Sequence, residues 1–243
     1  MQTTTLLLLI TFCIGASFVQ RVSGFGFGIF IMTILPSLMP SYGEATTLSG
    51  LLAASQSLFV AISLRQYISW KNLLPILATF IAVSYFAINL LSTINDTLLK
   101  QILGATLIII SVYFYFFSSH IHLRPSLPIQ ISMGTLSGMM GGLFAMQGPP
   151  AVLYFISSEK SKESYLATTQ VYFLVGNIMM TTFRASKGYL TPTVGHAYIY
   201  AILAVCIGTI IGRKVFEKIS ADRLKKIIYI YIFMSGVIAL LTN

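Results

Sequence analysis

The stretch "GMMGGLFAMQGPP", residues 138–150, interrupts an apolar run that extends from residue 128 to 156. Its glycines and paired prolines stop a helix in the middle of sequence otherwise apolar enough to lie in a bilayer. Backbone that leaves the helical path at that depth must be enclosed by protein or face a polar cavity, because hydrocarbon satisfies no N–H or C=O group. A second interruption lies near the N-terminus, where "SGFGFG", residues 23–28, leads into the run 26–39, which is too short to cross. Glycines in such places serve tight helix packing, a helix break, or close approach of backbone to a ligand. Spacing alone leaves these readings open.

Composition sets the surroundings. Of 243 residues 56% are hydrophobic and 9% charged, and the mean hydropathy is +0.85, which excludes a water-soluble domain. The chain reads as an all-α polytopic membrane protein of the cell membrane, with the lipid bilayer as its first partner. A span needs about 20 apolar residues, so seven or eight segments nearly fill the chain. The net charge of +9 sits between the apolar runs, which argues for loop placement and against nucleic-acid binding. Cys13 and Cys206 fall inside apolar runs and read as small buried side chains, not as a disulfide or metal site. The N-terminal "LLLLITFCIGASF" lacks a preceding Lys or Arg and is read as a retained membrane segment, not a signal peptide.

An internal repeat is expected. An offset of 122 residues lays "EATTLSGLL" (44–52) on "LATTQVYFL" (166–174) and Gly26 on Gly148, and three further residues of insertion lay "INDTLLKQI" (94–102) on "ISADRLKKI" (219–227). The halves are residues 1–119 and 120–243, four segments each. Lys and Arg favour cytoplasmic loops. Lys160 and Lys162, the basic loop 213–226, Arg65, Lys71 and Arg124 then lie inside, while the loops around Glu44, Asp96, Arg184 and Lys187 lie outside. That placement predicts inverted halves, each opening with a broken-helix hairpin: residues 4–39 from outside and 128–156 from the cytoplasm. A parallel repeat of full crossings is the alternative.

In such a hairpin the second half-helix points its free amides inward, where they favour an anion. Gly26 and Gly28 open one, and Gln147, Gly148, Pro149 and Pro150 open the other; the prolines suit a first turn and Gly148 is expected to allow close approach. The alternative is that the glycines only pack helices. On the helix 165–184, Gln170, Asn177, Thr181 and Arg184 share one face and can bind an oxyanion or tie helices together. Thr46 and Thr47 hold the duplicated position and the same two readings. Arg184, at the outer end, suits anion attraction or snorkelling to the interface.

"FVQRVSGFGFGIFIMTILPSLMP" (18–40) and "GTLSGMMGGLFAMQGPPAVLYFISSEKSKESYLATTQVYFLVGN" (134–177) resemble the paired signatures of the TauE/SafE sulfite exporter family, also described as probable membrane transporters of the 4-toluene sulfonate uptake type. The resemblance covers nearly the whole chain. It implies an eight-segment transporter of duplicated halves for sulfite, sulfonates and related small organic anions. Relatives often begin the helix after the second motif with Phe-Arg-Ala, where this chain has Tyr165, Leu166 and Ala167.

The substrate-binding candidates are therefore Gly26, Gly28, Thr46, Thr47, Gln147, Gly148, Pro149, Gln170, Asn177 and Arg184. No acidic residue lies within an apolar run, His196 alone of the histidines is near a span, and His120 and His122 read as interfacial. No nucleophile with its base, paired carboxylates or metal cluster is recognisable, so no catalytic residue, metal or cofactor is expected. A channel-like or structural membrane protein is the runner-up, an intramembrane enzyme the weakest reading, and a homo-oligomer is compatible with the sequence. Single cysteines at Ser161 and Ser186, in a background without Cys13 and Cys206, should label oppositely with an impermeant thiol reagent on intact cells: Ser186→Cys reacts and Ser161→Cys does not. Equal labelling removes the argument for inverted halves.

Overall fold

The structure, a computed structural model, describes residues 3–116, 123, 125–216 and 221–241. His120, His122, Arg124, Glu217, Lys218 and the 119/120 boundary between the expected halves lie outside the described residues, as do the side chains of Arg213, Asp222, Arg223, Lys225 and Lys226.

The described residues form helices joined by short loops: α1 (Thr3–Ser23), α2 (Phe27–Ile31), α3 (Leu35–Leu38), α4 (Tyr42–Ser63), a 3-10 turn (Arg65–Tyr67), α5 (Trp70–Leu91), α6 (Asp96–Phe116), α7 (Leu127–Phe144), α8 (Gly148–Ser158), α9 (Lys162–Ser186), α10 (Pro192–Phe216) and α11 (Ala221–Leu241). Among the described residues, α1, α4, α5, α6 and the Pro192–Gly212 part of α10 are long and apolar enough to cross a bilayer, which makes this a multi-pass membrane protein. Phe59, Phe86, Ile109 and Leu203 point outward, as side chains bathed in lipid do.

Both interruptions fold back as hairpins. Along the first, Gly26 faces Val19 and the Phe30 ring lies against Gly15 and Phe12, so α2 runs antiparallel to α1. Along the second, Ser137 Oγ donates to the Gln147 carbonyl and Gln130 Nε2 donates to Tyr154 Oη at 2.6 Å, so α8 returns along α7. Two details depart from the sequence reading. At 21 residues α1 is long enough to cross and is no half-helix. The return run 26–39 is not one helix but α2 and α3, separated at 32–34. Pro36 has no N–H to donate to the Met32 carbonyl, so the helix cannot run through and restarts one residue earlier.

At the centre α4 packs on α9, with α5 flanking α9 and α10 flanking α4; α1 pairs with α10, α5 with α7 and α6 with α11. Glycines bring three of these pairs to backbone contact. Gly134, Gly138 and Gly142, spaced by four on α7, face the carbonyls of Ile76, Phe80 and Ser84 on α5; Gly208 faces Ile14 on α1, and Gly104 and Gly236 face each other between α6 and α11. Small residues at such spacing gain dispersion contacts where lipid offers no hydrophobic drive.

Loops gather at two ends. At one, Thr191 Oγ1 donates to Glu44 Oε1 at 2.6 Å and the Tyr42 N–H to Asp96 Oδ2 at 2.9 Å. Tyr189 packs over Gly43 there, and its phenol pKa is raised by burial first and then by Asp96, while Arg184 pulls it down. At the other end, Asn72 Nδ2 donates to Glu159 Oε1 at 2.9 Å and the Leu123 N–H to Ser157 Oγ at 3.1 Å.

Because a Cβ at Gly138 would sit 2.8 Å from Val83 and 3.0 Å from the Phe80 carbonyl, Gly138→Ile should separate α5 from α7. The expected loss is about 1–3 kcal/mol, read as a lower melting temperature and a smaller monodisperse fraction in detergent. Gly195→Ala, in α10 with open space around it, should leave both unchanged or raise them by up to about 1 kcal/mol.

Candidate functional site between the broken helices

The two hairpin tips meet inside the bundle. At the first, Gly24 (φ +83°) and Gly26 (φ +99°) take left-handed conformations that turn the chain between α1 and α2. At the second, Ala145 (φ 56°) does the same at the end of α7, and the Met146 N–H reaches back to the Met140 carbonyl at 3.2 Å, the backbone pattern of a glycine-type helix stop. A Cβ at Gly28 would overlap the Ala145 carbonyl oxygen, so the tips touch backbone to backbone. Gly148 makes no such protein contact: a Cβ there would be in ordinary contact, 3.5 Å from Phe25.

Beside this contact lies a small space lined by Gln20, Gly26, Phe27, Gly28, Ile29, Ala53, Ala145, Met146, Gln147, Gly148, Phe173 and Asn177. About 20 Å³ of it is open to the centre of a water molecule, room for one water but not for a sulfur oxyanion. No acidic side chain lines it. The N-terminus of α8 opens onto it without a side-chain cap. Pro149 and Pro150 remove two of the donors that a helix start normally offers, leaving the Gln147 and Gly148 N–H groups to carry the positive end of the dipole. Asn177, 3% exposed, makes no side-chain hydrogen bond among the described residues. Gln147 Nε2 donates to the Phe173 carbonyl at 3.3 Å, while its Oε1 is buried without a partner.

The polar face of α9 divides by role. Gln170 Nε2 donates to the Gly24 carbonyl at 2.8 Å and so holds the first tip. Arg184 is fully buried and does not snorkel: Nη2 donates to the Gly141 and Gly142 carbonyls at 2.7 and 2.9 Å, and Nη1 to the Thr46 carbonyl at 3.3 Å. A cation there complements the negative end of the α7 dipole. Asn177, between them, faces the cavity. Thr46 and Thr47 donate to the Gly43 carbonyl of their own helix, at 2.9 and 2.7 Å, and Pro149 is buried in α8; none of the three lines the cavity. The structure thus brings Gly26, Gly28, Gln147, Gly148 and Asn177 together, sets Gln170 beside them, and leaves Thr46, Thr47, Pro149 and Arg184 outside. Gln20, absent from the sequence candidates, lines the cavity; a glutamine inside the apolar α1 was open to the same reasoning as Gln170.

Among known families, residues 7–238 match the one described as sulfite exporter TauE/SafE. The chain belongs to this family. It is 23% identical over 203 residues, 82% of its own length and 79% of the other's, to a protein of Cupriavidus necator named probable sulfite/organosulfonate exporter TauE. No solved structure matches the chain. Among the described residues no group of three His, Cys, Asp or Glu side chains could hold a metal ion.

Substitutions on α9 should separate support from recognition. Arg184→Met takes the side-chain donor from the Gly142 carbonyl, leaves the Gly141 carbonyl only the Ala145 N–H, and removes the bond to Thr46; it should cost about 1–3 kcal/mol, seen as loss of folded protein. Asn177→Leu breaks no protein hydrogen bond and should purify with a melting temperature within a few degrees of the parent, while its anion flux falls at least tenfold. Normal flux in purified Asn177→Leu moves the site elsewhere.

Proposed function

We infer that this family member carries sulfite or an organosulfonate-type anion across the bilayer and binds it between the hairpin tips. The observation that carries the site is Asn177: a buried amide without a protein partner, in the same small cavity as the uncapped start of α8. An oxyanion there would accept from Asn177 Nδ2 and from the Gln147 and Gly148 N–H groups, in surroundings of low dielectric and without a competing carboxylate. The name of the Cupriavidus necator relative points to the same substrate class.

The duplicated, inverted arrangement of residues 1–119 and 120–243 is part of the reading. What supports it is the neighbour pattern: α1 lies on α10 as α7 lies on α5, and the pairs α4–α9 and α6–α11 each exchange into themselves when the halves are swapped. Ser41 and Ser161, each accepting from the N–H three residues on, cap α4 and α9 in the same way. Arg65, Lys71, Lys160 and Lys162 belong to loops tied together at one end, so that end is assigned to the cytoplasm and the Glu44–Thr191 end to the exterior. The hairpins then enter from opposite sides, and parting the tips toward one side or the other exposes the site alternately.

Purified protein in vesicles should move sulfite or short alkylsulfonates in preference to carboxylates and amino acids of similar size. Passage of many unrelated ions without saturation would favour a channel, and no flux of any sulfur oxyanion would reject the reading.

A further inference from the structure

The central cavity does not stand alone. Through Gln20 it borders a second space of about 20 Å³, lined also by Arg21, Gly24, Gln56 and Gln170, and this in turn shares Arg21, Val60, Leu166 and Thr209 with a vestibule of about 420 Å³, bounded by Ser63 and Leu64 and, on the lipid side, by Phe59 and Ile210. The volumes are those open to a water centre, so the series is one wide mouth and two narrow chambers. No acidic side chain lines any of the three, and the exposed Arg21 stands between mouth and first chamber.

The partition between the chambers is built to yield. Gln20 is 5% exposed, yet its Nε2 meets Ser57 Oγ and Gln170 Oε1 at 3.4 Å each, the long limit for such bonds. Gln170 spends its own Nε2 on Gly24 and is fixed. Next to it Gln56 Nε2 donates to the Ser17 carbonyl at 2.8 Å while its Oε1 is buried without a partner. The backbone beside Gln20 turns at Gly24 and Gly26, both left-handed. A loosely held buried donor next to a glycine turn can change partners at little cost, whereas a fixed one cannot.

We infer that the anion travels between the central site and the Arg65–Lys71 end through this series, with Arg21 collecting it at the mouth and Gln20 as the gate, its amide exchanging the weak bonds to Ser57 and Gln170 for bonds to the anion. This rests on the anion-transport reading above. Arg21 acts by field and its effect fades with salt; Gln20 acts by contact and its effect does not. An amide suits the gate because it offers donors to an oxyanion without trapping it by charge.

The experiment uses the full chain in vesicles of zwitterionic lipid, which removes anionic headgroups as competitors for Arg21, with sulfite as the probe. Arg21→Gln should raise KM at least fivefold at low ionic strength with kcat nearly unchanged, and the difference should close at high salt. Gln20→Glu keeps the volume but sets a negative charge in the gate, and should cut kcat at least tenfold at every salt concentration. Independently of transport, Val60→Cys in a chain lacking Cys13 and Cys206 should react with a hydrophilic maleimide added from the Arg65–Lys71 side and not from the other. Flux within twofold of the parent in both variants overturns the route while leaving the transport reading intact. Absence of sulfite flux in the parent overturns the transport reading, and the maleimide result then decides the route alone: an unreactive Val60→Cys rejects it.

Discussion

A helix that ends inside a bilayer leaves carbonyls without partners, and this fold depends on how they are answered. Arg184 donates to the Gly141 and Gly142 carbonyls in the last turn of α7, two turns along α9 from Asn177. Nearer the other end of α9, Gln170 holds Gly24, and between them the Phe173 carbonyl receives Gln147. One helix therefore anchors both tips. A donor-rich helix of this kind is too polar to face lipid, which is why α4 and α5 enclose α9 and why it is absent from the helices apolar enough to span on their own account. The buried cation meets carbonyl dipoles instead of a carboxylate, so its charge is only partly offset and the interior around the α7 end favours anions.

Between the two anchored ends the tips are in contact. Gly28 against the Ala145 carbonyl leaves room for one water, so the proposed site takes a sulfur oxyanion only when the tips part. The side chains with weak or no bonds are Gln20 and Asn177. The parts with short bonds, Arg184 and Gln170, are the fixed frame against which they move. This separation into frame and moving parts is what a carrier requires, since binding must alter one without loosening the other.

Much of this could be read from residues 138–150 and 23–28, because glycine and proline inside apolar runs have few structural meanings in a membrane. The hairpins followed from that, and the polar face of α9 from the spacing of Gln170, Asn177, Thr181 and Arg184. The split of the return run into α2 and α3 was less visible, although Pro36 announced it. What periodicity could not decide was which polar residues on α9 hold helices and which stay free: Gln170, Asn177 and Arg184 lie on one face, and only the facing carbonyls of Gly24, Gly141 and Gly142 distinguish them. Arg184 does lie in the last turn of α9; what periodicity could not show is that the end of α7 meets it there and buries it. Gln20 closes the apolar run 4–20 and was not singled out there.

The most direct measurement of the central claim is anomalous diffraction from crystals grown with selenite, which places a strong scatterer where sulfite has sulfur. A selenium peak within hydrogen-bonding reach of Asn177 Nδ2 and the Gly148 N–H, between the α1–α2 and α7–α8 tips, is the expected result. A peak bound by other residues and away from both tips would contradict it.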